Sequence, residues 1–209
     1  SSFGPVTALS SLANNLLITF ASGDRVLSLL EEKPIIEEKI TGVEEEYHDL
    51  QVKDLTFKYD QEIILSHFNY QVDRPKIIGI KGKSGCGKST LLKLMMRFYD
   101  PTSGSLQMNG QDLKLWKTKA LRDNQSHVEQ STYLFNGTLF ENVRIAKVDA
   151  TKEEVIEACK KANIHDFIIS LDQGYDTIIN EHSSLSGGQR QRIGLARAFL
   201  HDAKMILLD

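Results

Sequence analysis

A glycine-rich segment, GKSGCGKS at residues 82–89, constrains the fold of this chain more than any other part of its sequence. It matches the pattern GxxxxGK[ST], follows an apolar run at 77–80 and precedes residues at helical spacing. Glycines let successive backbone N–H groups approach an anion without Cβ clashes, and a helix N-terminus adds about half a positive charge. The pattern predicts a strand, a polyphosphate-binding loop and a helix, and this context disfavours the alternative of a chance glycine-rich turn.

The side chains of this segment, the phosphate loop, have different predicted roles. We expect Lys88 to reach the β- and γ-phosphates of a nucleotide, Ser89 to place its hydroxyl on Mg²⁺, and Thr90 to lie near a phosphate. Cys86 stands beside a helix N-terminus and a lysine, which predicts a reactive thiol; a small residue that fills a tight loop is the alternative. The predicted nucleotide-binding residues here are Gly82, Ser84, Gly85, Cys86, Gly87, Lys88, Ser89 and Thr90.

A second glycine motif, LSGGQ at residues 185–189, is followed by RQRIGLARA at residues 190–198. Two glycines ahead of a helical pattern predict another helix N-terminus open to an anion. A flexible turn with a helix cap is the alternative, but it explains the glycines and not the whole string. Because such a specified string occurs by chance at on the order of one in a million positions, the motif narrows the class of protein sharply.

The string LSGGQRQRIGLARA resembles the signature motif of ABC (ATP-binding cassette) ATPases, and the resemblance extends over nearly the whole chain. It implies an α/β fold: a P-loop NTPase core with a mostly parallel sheet, an antiparallel β-subdomain, and an inserted helical subdomain at about 132–193. In that family the signature motif closes over the γ-phosphate held by a second domain in a head-to-tail dimer. The resemblance therefore implies that ATP is also bound in trans, by Ser186, Gly187, Gly188 and Gln189.

Three further positions match the pattern of the family. Tyr59 resembles the aromatic residue that stacks on adenine, and a strand tyrosine in the core is the alternative. Gln130 resembles the Q-loop glutamine, which senses Mg²⁺ and the attacking water; a solvated loop glutamine is the alternative. Asp209 follows the apolar run at 205–208 and resembles the Walker B aspartate, which holds the hydration shell of Mg²⁺. The resemblance implies ATP and Mg²⁺ as cofactors, catalytic roles for Lys88, Gln130 and Asp209, and a metal site of Ser89, Gln130 and Asp209.

Two segments resemble the exporter branch of the family, the multidrug-exporter and lipid-exporter type. LFNGTLFENV at residues 134–143 resembles the segment that faces the cytoplasmic ends of the membrane helices. Residues 3–31 have helical spacing and resemble the cytosolic end of the last membrane helix, although composition alone also allows a helix that packs on its own domain. We therefore expect residues 1–45 to be that helix end and a linker, and residues 46–209 to be the ATP-binding domain. The predicted helix has an apolar stripe of Phe3, Val6, Leu9, Leu12, Leu16 and Phe20.

These resemblances imply an ATP hydrolase that couples ATP binding and hydrolysis to substrate export across a membrane. The implied partners are a transmembrane domain of the same polypeptide, a second ABC ATP-binding domain, and a transported substrate that the sequence does not specify. The implied location is the cytoplasmic face of the cell membrane. A soluble ABC ATPase that acts on nucleic acid or ribosomes is the alternative, whereas a regulatory domain without turnover is disfavoured because the signature motif is intact.

Composition excludes several other classes of protein. The net charge of −3 does not indicate a general nucleic-acid binder. Cys86 and Cys159 are the two cysteines, and their separation favours a reducing cytosolic setting over a disulfide framework. The six histidines show no ligand spacing, so no zinc site is predicted. No stretch reaches the roughly 20 apolar residues that a membrane-spanning helix needs.

The sequence departs from the family pattern in three places. Residues 180–184 are short by one and lack the usual glycine, and Glu181 in this stretch is the candidate for the exporter inter-domain role. Gln125 stands where an apolar strand residue is usual, which predicts an irregular strand. The sequence stops at Asp209, and the general-base glutamate of the family would come next. We therefore expect these residues by themselves to bind ATP weakly and to hydrolyse it negligibly.

Local patterns predict the secondary structure of the remaining chain. A capping box of Thr151 and Glu154 predicts a helix start, and Asn109-Gly110 predicts a tight hairpin turn. The final apolar run predicts a buried strand. The predicted strands cover 50–59, 63–65, 68–72, 76–80, 105–111 (as a hairpin) and 204–209, and the predicted helices cover 88–97, 151–171 and 188–200.

Overall fold

The computed structural model describes residues 4–74, 76–180 and 185–209, with the side chains of 5–10 and 13 left aside. The chain divides into two compact units, one that ends at Glu37 and one that spans Glu38–Asp209. The first unit consists mainly of one long helix, α1 (Gly4–Glu31), in agreement with the helix predicted for this region. None of the helices in the described part of the chain is both long and apolar enough to cross a membrane.

The apolar stripe predicted for α1 is exposed wherever its side chains are described. Leu12, Leu16 and Phe20 are each about half exposed or more. Phe3, Val6 and Leu9 lie outside the described side chains. Further large apolar residues of the helix are also exposed, namely Leu17, Ile18, Val26, Leu27, Leu29 and Leu30. The helix therefore presents much more apolar surface than a solvated helix requires.

The second unit begins with an antiparallel sheet of four strands. These are β1 (Leu50–Tyr59), β2 (Glu62–Val72), β3 (Ser103–Met108) and β4 (Gln111–Asp112), in the spatial order β2-β1-β3-β4. The segments predicted as two strands at 63–65 and 68–72 form the single strand β2, because an irregularity at His67, with φ of 50°, bends the strand without ending it. The turn between β3 and β4 has positive φ at Asn109 and Gly110, as the hairpin motif predicts.

The strand predicted at 76–80 is wrong. The segment has no strand hydrogen bonding in the described chain, and the side chains of Ile77, Ile78 and Ile80 are exposed. An apolar run forms a strand only when a neighbouring strand satisfies its backbone groups. Among residues 4–74, 76–180 and 185–209 no strand lies hydrogen-bonded beside it. The apolar pattern alone therefore does not make this segment a strand.

A short parallel sheet leads to the candidate site. The strand β5 (Gln125–Val128) pairs in register with a later strand, Met205–Leu208. The irregularity predicted at Gln125 is wrong: Gln125 is buried and pairs with Met205, and its amide nitrogen donates to the backbone oxygen of Met95 at 2.9 Å. The buried strand predicted from the final apolar run is buried on one face only, because Met205 and Leu207 are buried whereas Ile206 and Leu208 are exposed.

Helices cover and extend this core. The helix α2 (Lys88–Met95) follows the phosphate loop, and α3 (Thr118–Asn124) precedes β5, with a 3₁₀ turn at Leu113–Leu115 before it. Side chains of the antiparallel sheet, α2 and α3 share one apolar core with Met205 and Leu207. Trp116 is fully buried in this core. The antiparallel sheet and the helix that follows the phosphate loop therefore share one core.

A second apolar core is largely helical. It is built around α4 (Leu139–Arg144), α5 (Lys152–Lys161), α6 (His165–Ile169) and α7 (Gly187–His201), with a small hairpin of β6 (Gly137–Thr138) and β7 (Ile178–Ile179) and a 3₁₀ turn at Gly174–Asp176. The last strand, β8 (Met205–Leu208), follows α7. The capping box of Thr151 and Glu154 is confirmed. The helix predicted at 151–171 is instead two helices, because Asn163, with φ of 54°, interrupts it.

Candidate nucleotide-binding site

The phosphate loop adopts a conformation that only glycine accommodates easily at its last turn. Gly87 caps α2 with φ of 92°, in the left-handed region that other residues rarely adopt. A Cβ at this position would also lie 2.9 Å from Ile64 Cγ2 and 3.2 Å from the Ile64 backbone oxygen. Gly85 has φ of 79°, which turns the chain just before α2 begins. The glycine pattern thus produces a tight loop against β2 that leads into a helix N-terminus.

Lys88 lies folded over this loop. Its Nζ donates hydrogen bonds to the backbone oxygens of Gly82 at 3.1 Å and Lys83 at 2.9 Å, and it is 3.9 Å from Cys86 Sγ. The Cys86 thiol is exposed. A Cβ at Gly82 would lie 2.5 Å from that sulfur, so the side chain of Cys86 folds back across the loop. The loop, the ammonium group and the thiol therefore form one compact cluster, and the predicted contact of Lys88 with phosphates stays a prediction.

The structure brings together two of the three residues predicted to hold a metal ion. Ser89 Oγ donates to Asp209 Oδ1 at 2.8 Å, although 120 positions separate the residues. Ser89 is in the first turn of α2, and Asp209 directly follows β8. A hydroxyl oxygen and a carboxylate oxygen are the ligand types that Mg²⁺ prefers, so this pair fits the predicted ion.

Gln130, the third predicted metal residue, lies at the same edge of the parallel sheet. It follows β5 by two positions, and Asp209 N donates to Val128 O at 3.0 Å, so the chain segments after β5 and β8 run side by side. The backbone oxygen of Gln130 accepts from Gln191 Nε2 at 3.3 Å. The Gln130 side chain is exposed. This geometry is compatible with the sensing role that the resemblance implies, and that role stays a prediction.

The signature residues form the exposed N-terminus of α7. Ser186 Oγ accepts from Gln189 N at 3.2 Å, and Gln189 Oε1 accepts from Ser186 N at 2.8 Å, which makes a complete capping box. A Cβ built on Gly187 or Gly188 would meet nothing within 4 Å. Within the described residues, the side chains of Ser186 and Gln189 each accept a hydrogen bond from the other residue's backbone N–H, and neither bonds the phosphate loop. The helix tip is therefore preformed and open, which suits a ligand that comes from elsewhere.

Tyr59 belongs to a small aromatic cluster at the end of β1. Its ring meets Phe57 edge-on at 4.8 Å between centroids and meets Tyr99 edge-on at 5.4 Å. The ring is partly buried against the core of the antiparallel sheet. Packing in the core thus explains the buried part of the Tyr59 ring, and stacking of the ring on adenine stays a prediction.

Sequence reasoning did not single out Asn142 and Arg197. The Arg197 guanidinium donates to the backbone oxygens of Tyr133 and Asn142 and to the Asn142 side chain, at 2.8, 2.7 and 3.1 Å. Burial lowers the pKa of Arg197 below its ordinary value. The sequence signal that could have identified Arg197 is its place among the apolar positions Ile193, Ala196 and Leu200 of one predicted helix, which are buried in the structure. A partly buried arginine needs several acceptors, and their identity depends on the tertiary fold.

Comparison with known proteins now places the chain in a family. The model of the ABC transporter family matches residues 65–209. The chain is 54% identical over 211 residues to a Haemophilus influenzae protein named "Probable ABC transporter ATP-binding/permease protein". This alignment covers 100% of this chain and 38% of that protein. It is 36% identical over 210 residues to the "ATP-dependent lipid A-core flippase" of Syntrophus aciditrophicus, in an alignment that covers 99% of this chain and 35% of that protein.

A solved structure agrees with the sequence comparison. The chain superimposes with a TM-score of 0.84 on the structure described as "Structure of a bacterial Atm1-family ABC exporter with ATP bound", at 31% identity over 99% of this chain and 37% of that one. The chain therefore belongs to the ABC transporter family and has its P-loop NTPase fold. It spans well under half the length of the relatives that it matches.

Proposed function

We propose that this chain is the ATP-binding domain of a membrane exporter and couples the binding and hydrolysis of ATP to movement of a substrate across a membrane. The observation that carries the proposal is the 2.8 Å hydrogen bond between Ser89 Oγ and Asp209 Oδ1. This bond brings two oxygen atoms of the types that Mg²⁺ prefers beside the phosphate loop, at the N-terminus of α2, which supports binding of a nucleotide with a cation. The exporter and flippase names of similar proteins support the same function.

On this proposal the phosphate loop binds the triphosphate of ATP. The N-terminus of α2 and the backbone N–H groups of the loop supply partial positive charge. Lys88 Nζ now bonds to the neutral carbonyls of Gly82 and Lys83. It would exchange them for phosphate oxygens, because a charge-assisted hydrogen bond is about twice as strong as one to a neutral acceptor. Tyr59 would stack on the adenine base.

The same proposal assigns the residues that flank the loop. Ser89 and Asp209 would hold Mg²⁺, and Gln130 would complete the site from the end of β5 and orient the attacking water. Mg²⁺ bound there would neutralise charge that develops on the phosphate oxygens. Asp209 and Gln130 follow neighbouring parallel strands, so both side chains start from the sheet edge that faces α2.

We also propose two partners for this domain. The open tip at Ser186–Gln189 would bind the γ-phosphate held by a second ATP-binding domain in a head-to-tail dimer, because its helix N-terminus attracts anions. The exposed apolar side chains of α1 would contact a transmembrane domain of the same polypeptide. The ATP-binding/permease names of similar proteins support that arrangement. Residues 1–45 would then connect the domain 46–209 to the membrane, on its cytoplasmic face.

No observation favours the alternative of an ATPase that acts on nucleic acid or ribosomes. The chain has a net charge of −3, and a nucleic-acid binder of this size would need a basic surface to neutralise phosphates. The relatives described above carry ATP-binding/permease and flippase names.

Replacement of Lys88 by alanine tests the phosphate assignment. In the full-length protein, Lys88→Ala should weaken MgATP binding by about tenfold or more, because a charged contact to the phosphates is lost. Binding of a fluorescent ATP analogue measures the change. Lys93→Ala is the matched control, since Lys93 lies exposed on the same helix and should leave the affinity unchanged. Equal affinities for wild type and Lys88→Ala would contradict the proposal.

A further inference from the structure

One face of α7 packs against the chain segment that follows β5. Gln191, Gly194 and Arg197 are three positions apart, so they share a face of the helix. Gln191 Nε2 donates to Gln130 O at 3.3 Å. A Cβ at Gly194 would lie 2.5 Å from Thr132 Oγ1 and 3.1 Å from Val128 Cγ1, so only glycine allows this approach. The helix whose tip carries the signature residues therefore packs along residues 128–133.

Arg197 makes the strongest of these contacts. Its guanidinium donates to Tyr133 O at 2.8 Å, Asn142 O at 2.7 Å and Asn142 Oδ1 at 3.1 Å. All three acceptors lie on residues 133–142, which we call the clamped segment. Only the planar fork of arginine can reach three acceptors in this arrangement, whereas lysine offers a single ammonium group.

Asn142 extends the network through the clamped segment. Its Nδ2 donates to Phe135 O at 2.9 Å and Thr138 O at 3.0 Å, and its Oδ1 accepts from Phe135 N at 2.9 Å. Asn142 is buried, with 2% of its surface exposed. Because every polar atom of this side chain is engaged, the segment has one well-defined conformation relative to α7.

The aromatic side chains of the clamped segment are only partly covered, although the Arg197 guanidinium lies over the Phe135 ring at 5.9 Å from its centroid. Tyr133 is 57% exposed and Phe135 is 48% exposed, and their rings meet edge-on at 5.1 Å. A segment that served only to fill the core would bury these rings and leave its backbone at the surface. Here Arg197 binds the backbone of the segment while about half of each ring stays exposed, which is the arrangement of a presented surface.

We propose that Arg197 is a positioning residue of the ATPase cycle: its guanidinium fixes the clamped segment to α7, so that a displacement of the signature tip is transmitted to the segment. This inference rests on the proposed function, because it assumes that nucleotide acts at Ser186–Gln189. Arg197 contacts no nucleotide in this scheme. It acts through the backbone of residues 133 and 142, at the other end of the helix that carries the signature residues.

The test uses full-length protein with Arg197→Lys, followed by hydrogen exchange of backbone amides and by ATP hydrolysis. Saturating MgATP should change exchange in residues 185–190 of both proteins, but in residues 133–142 of the wild type alone. The kcat should fall by about tenfold while the KM for ATP stays within about twofold, because nucleotide binding by the phosphate loop is untouched. Asn142→Ala is the second variant, because it releases the same segment and should reproduce both effects.

Arg144→Lys is the matched control, since Arg144 is exposed just beyond the clamped segment and touches it only over the Phe140 ring at 5.8 Å, a contact that a lysine ammonium can also make, so this variant should behave as wild type. A purely structural role would lower the melting temperature and the fraction of protein that binds nucleotide, yet leave the kcat of the binding-competent fraction unchanged. That result, or coupled exchange that persists in Arg197→Lys, would overturn the inference while the proposed function stands. Wild-type protein that neither binds nor hydrolyses ATP would overturn both.

Discussion

At the scale of single residues, the candidate site depends on short-range geometry that few side chains can satisfy. Gly87 combines a left-handed backbone with close approach to Ile64. Ser89 and Asp209 depend on each other for their hydrogen bond at 2.8 Å. Cys159 shows the opposite case: burial raises the pKa of its thiol to about 11, so it is an inert core residue. Chemistry is thus expected at the phosphate loop and not in the helical core.

Gly87→Ala should destabilise the domain and weaken ATP binding together. The change costs about 1 kcal/mol for the left-handed backbone and more for the contact with Ile64. Gly110→Ala separates the cost of the left-handed backbone from the cost of the contact with Ile64. Gly110 also has positive φ, but nothing lies within 4 Å of a Cβ built on it. Chemical denaturation of both variants measures the difference in free energy of unfolding. Equal losses in the two variants would show that the contact with Ile64 contributes nothing.

At the scale of elements, three helices begin with the same device. The starts of α4, α5 and α7 each have a complete capping box, formed by Thr138 with Glu141, Thr151 with Glu154, and Ser186 with Gln189. Each box satisfies backbone N–H groups that a helix start leaves without partners. At α4 and α5 the device includes a carboxylate, whereas the signature helix α7 uses a neutral glutamine. A neutral cap leaves the N-terminal charge of α7 available to an anion.

Glu154 makes the stability of α5 depend on pH. A hydrogen bond from Lys147 and the backbone bond from Thr151 hold the pKa of Glu154 below its ordinary 4.5. A carboxyl with a depressed pKa stabilises the fold above about pH 4.5, and this contribution is lost as the pH falls through the folded-state value. Glu154→Gln keeps the capping geometry and removes the charge, so the difference in unfolding free energy from wild type should shrink as the pH falls below 4.5.

Denaturant melts at a series of pH values measure that difference. Glu153→Gln is the matched control, because Glu153 lies in the same first turn but takes no part in the capping box. A Glu154→Gln profile parallel to wild type across this pH range would show that the charge of Glu154 is irrelevant to stability.

At the scale of the whole molecule, the predicted nucleotide contacts do not all converge. Lys88, Ser89 and Asp209 lie together at the phosphate loop, whereas Ser186–Gln189 form a separate exposed helix tip. This separation is what the proposed head-to-tail dimer requires, because the tip then serves the loop of another copy. The exposed apolar residues of α1 call for a second kind of partner.

Ser186→Arg tests the trans role of the tip. In the full-length protein it should leave MgATP affinity within about twofold but lower ATP hydrolysis by about a hundredfold or more, because bulk and charge prevent closure over the partner's nucleotide. Loss of the cap costs about 1 kcal/mol, so hydrolysis is normalised to the fraction that binds nucleotide. Ser170→Arg, at the exposed end of α6, is the control. Hydrolysis at the wild-type rate in Ser186→Arg would argue against the dimer.

The sequence alone determined the features that depend on neighbouring residues. The phosphate loop before α2, the turn at Asn109-Gly110, the capping box at Thr151 and the signature helix follow from local backbone preferences. The family also followed, because its motifs are local strings. These features need no knowledge of what lies across the fold.

Only the tertiary structure decided which distant groups meet. The residues near Ser89 do not indicate Asp209, and only the family resemblance implied that the two meet. Nothing local to Arg197 indicates the backbone of residues 133 and 142. The apolar run at 77–80 is a case in which a local pattern predicted too much. The pattern predicts a strand, but a strand also needs a hydrogen-bonding neighbour, and the described chain places none beside this run. Gln125 keeps its strand because Met95 offers a backbone oxygen to its buried amide. Packing determines which residues far apart in the chain come into contact, and a local sequence pattern does not specify these contacts.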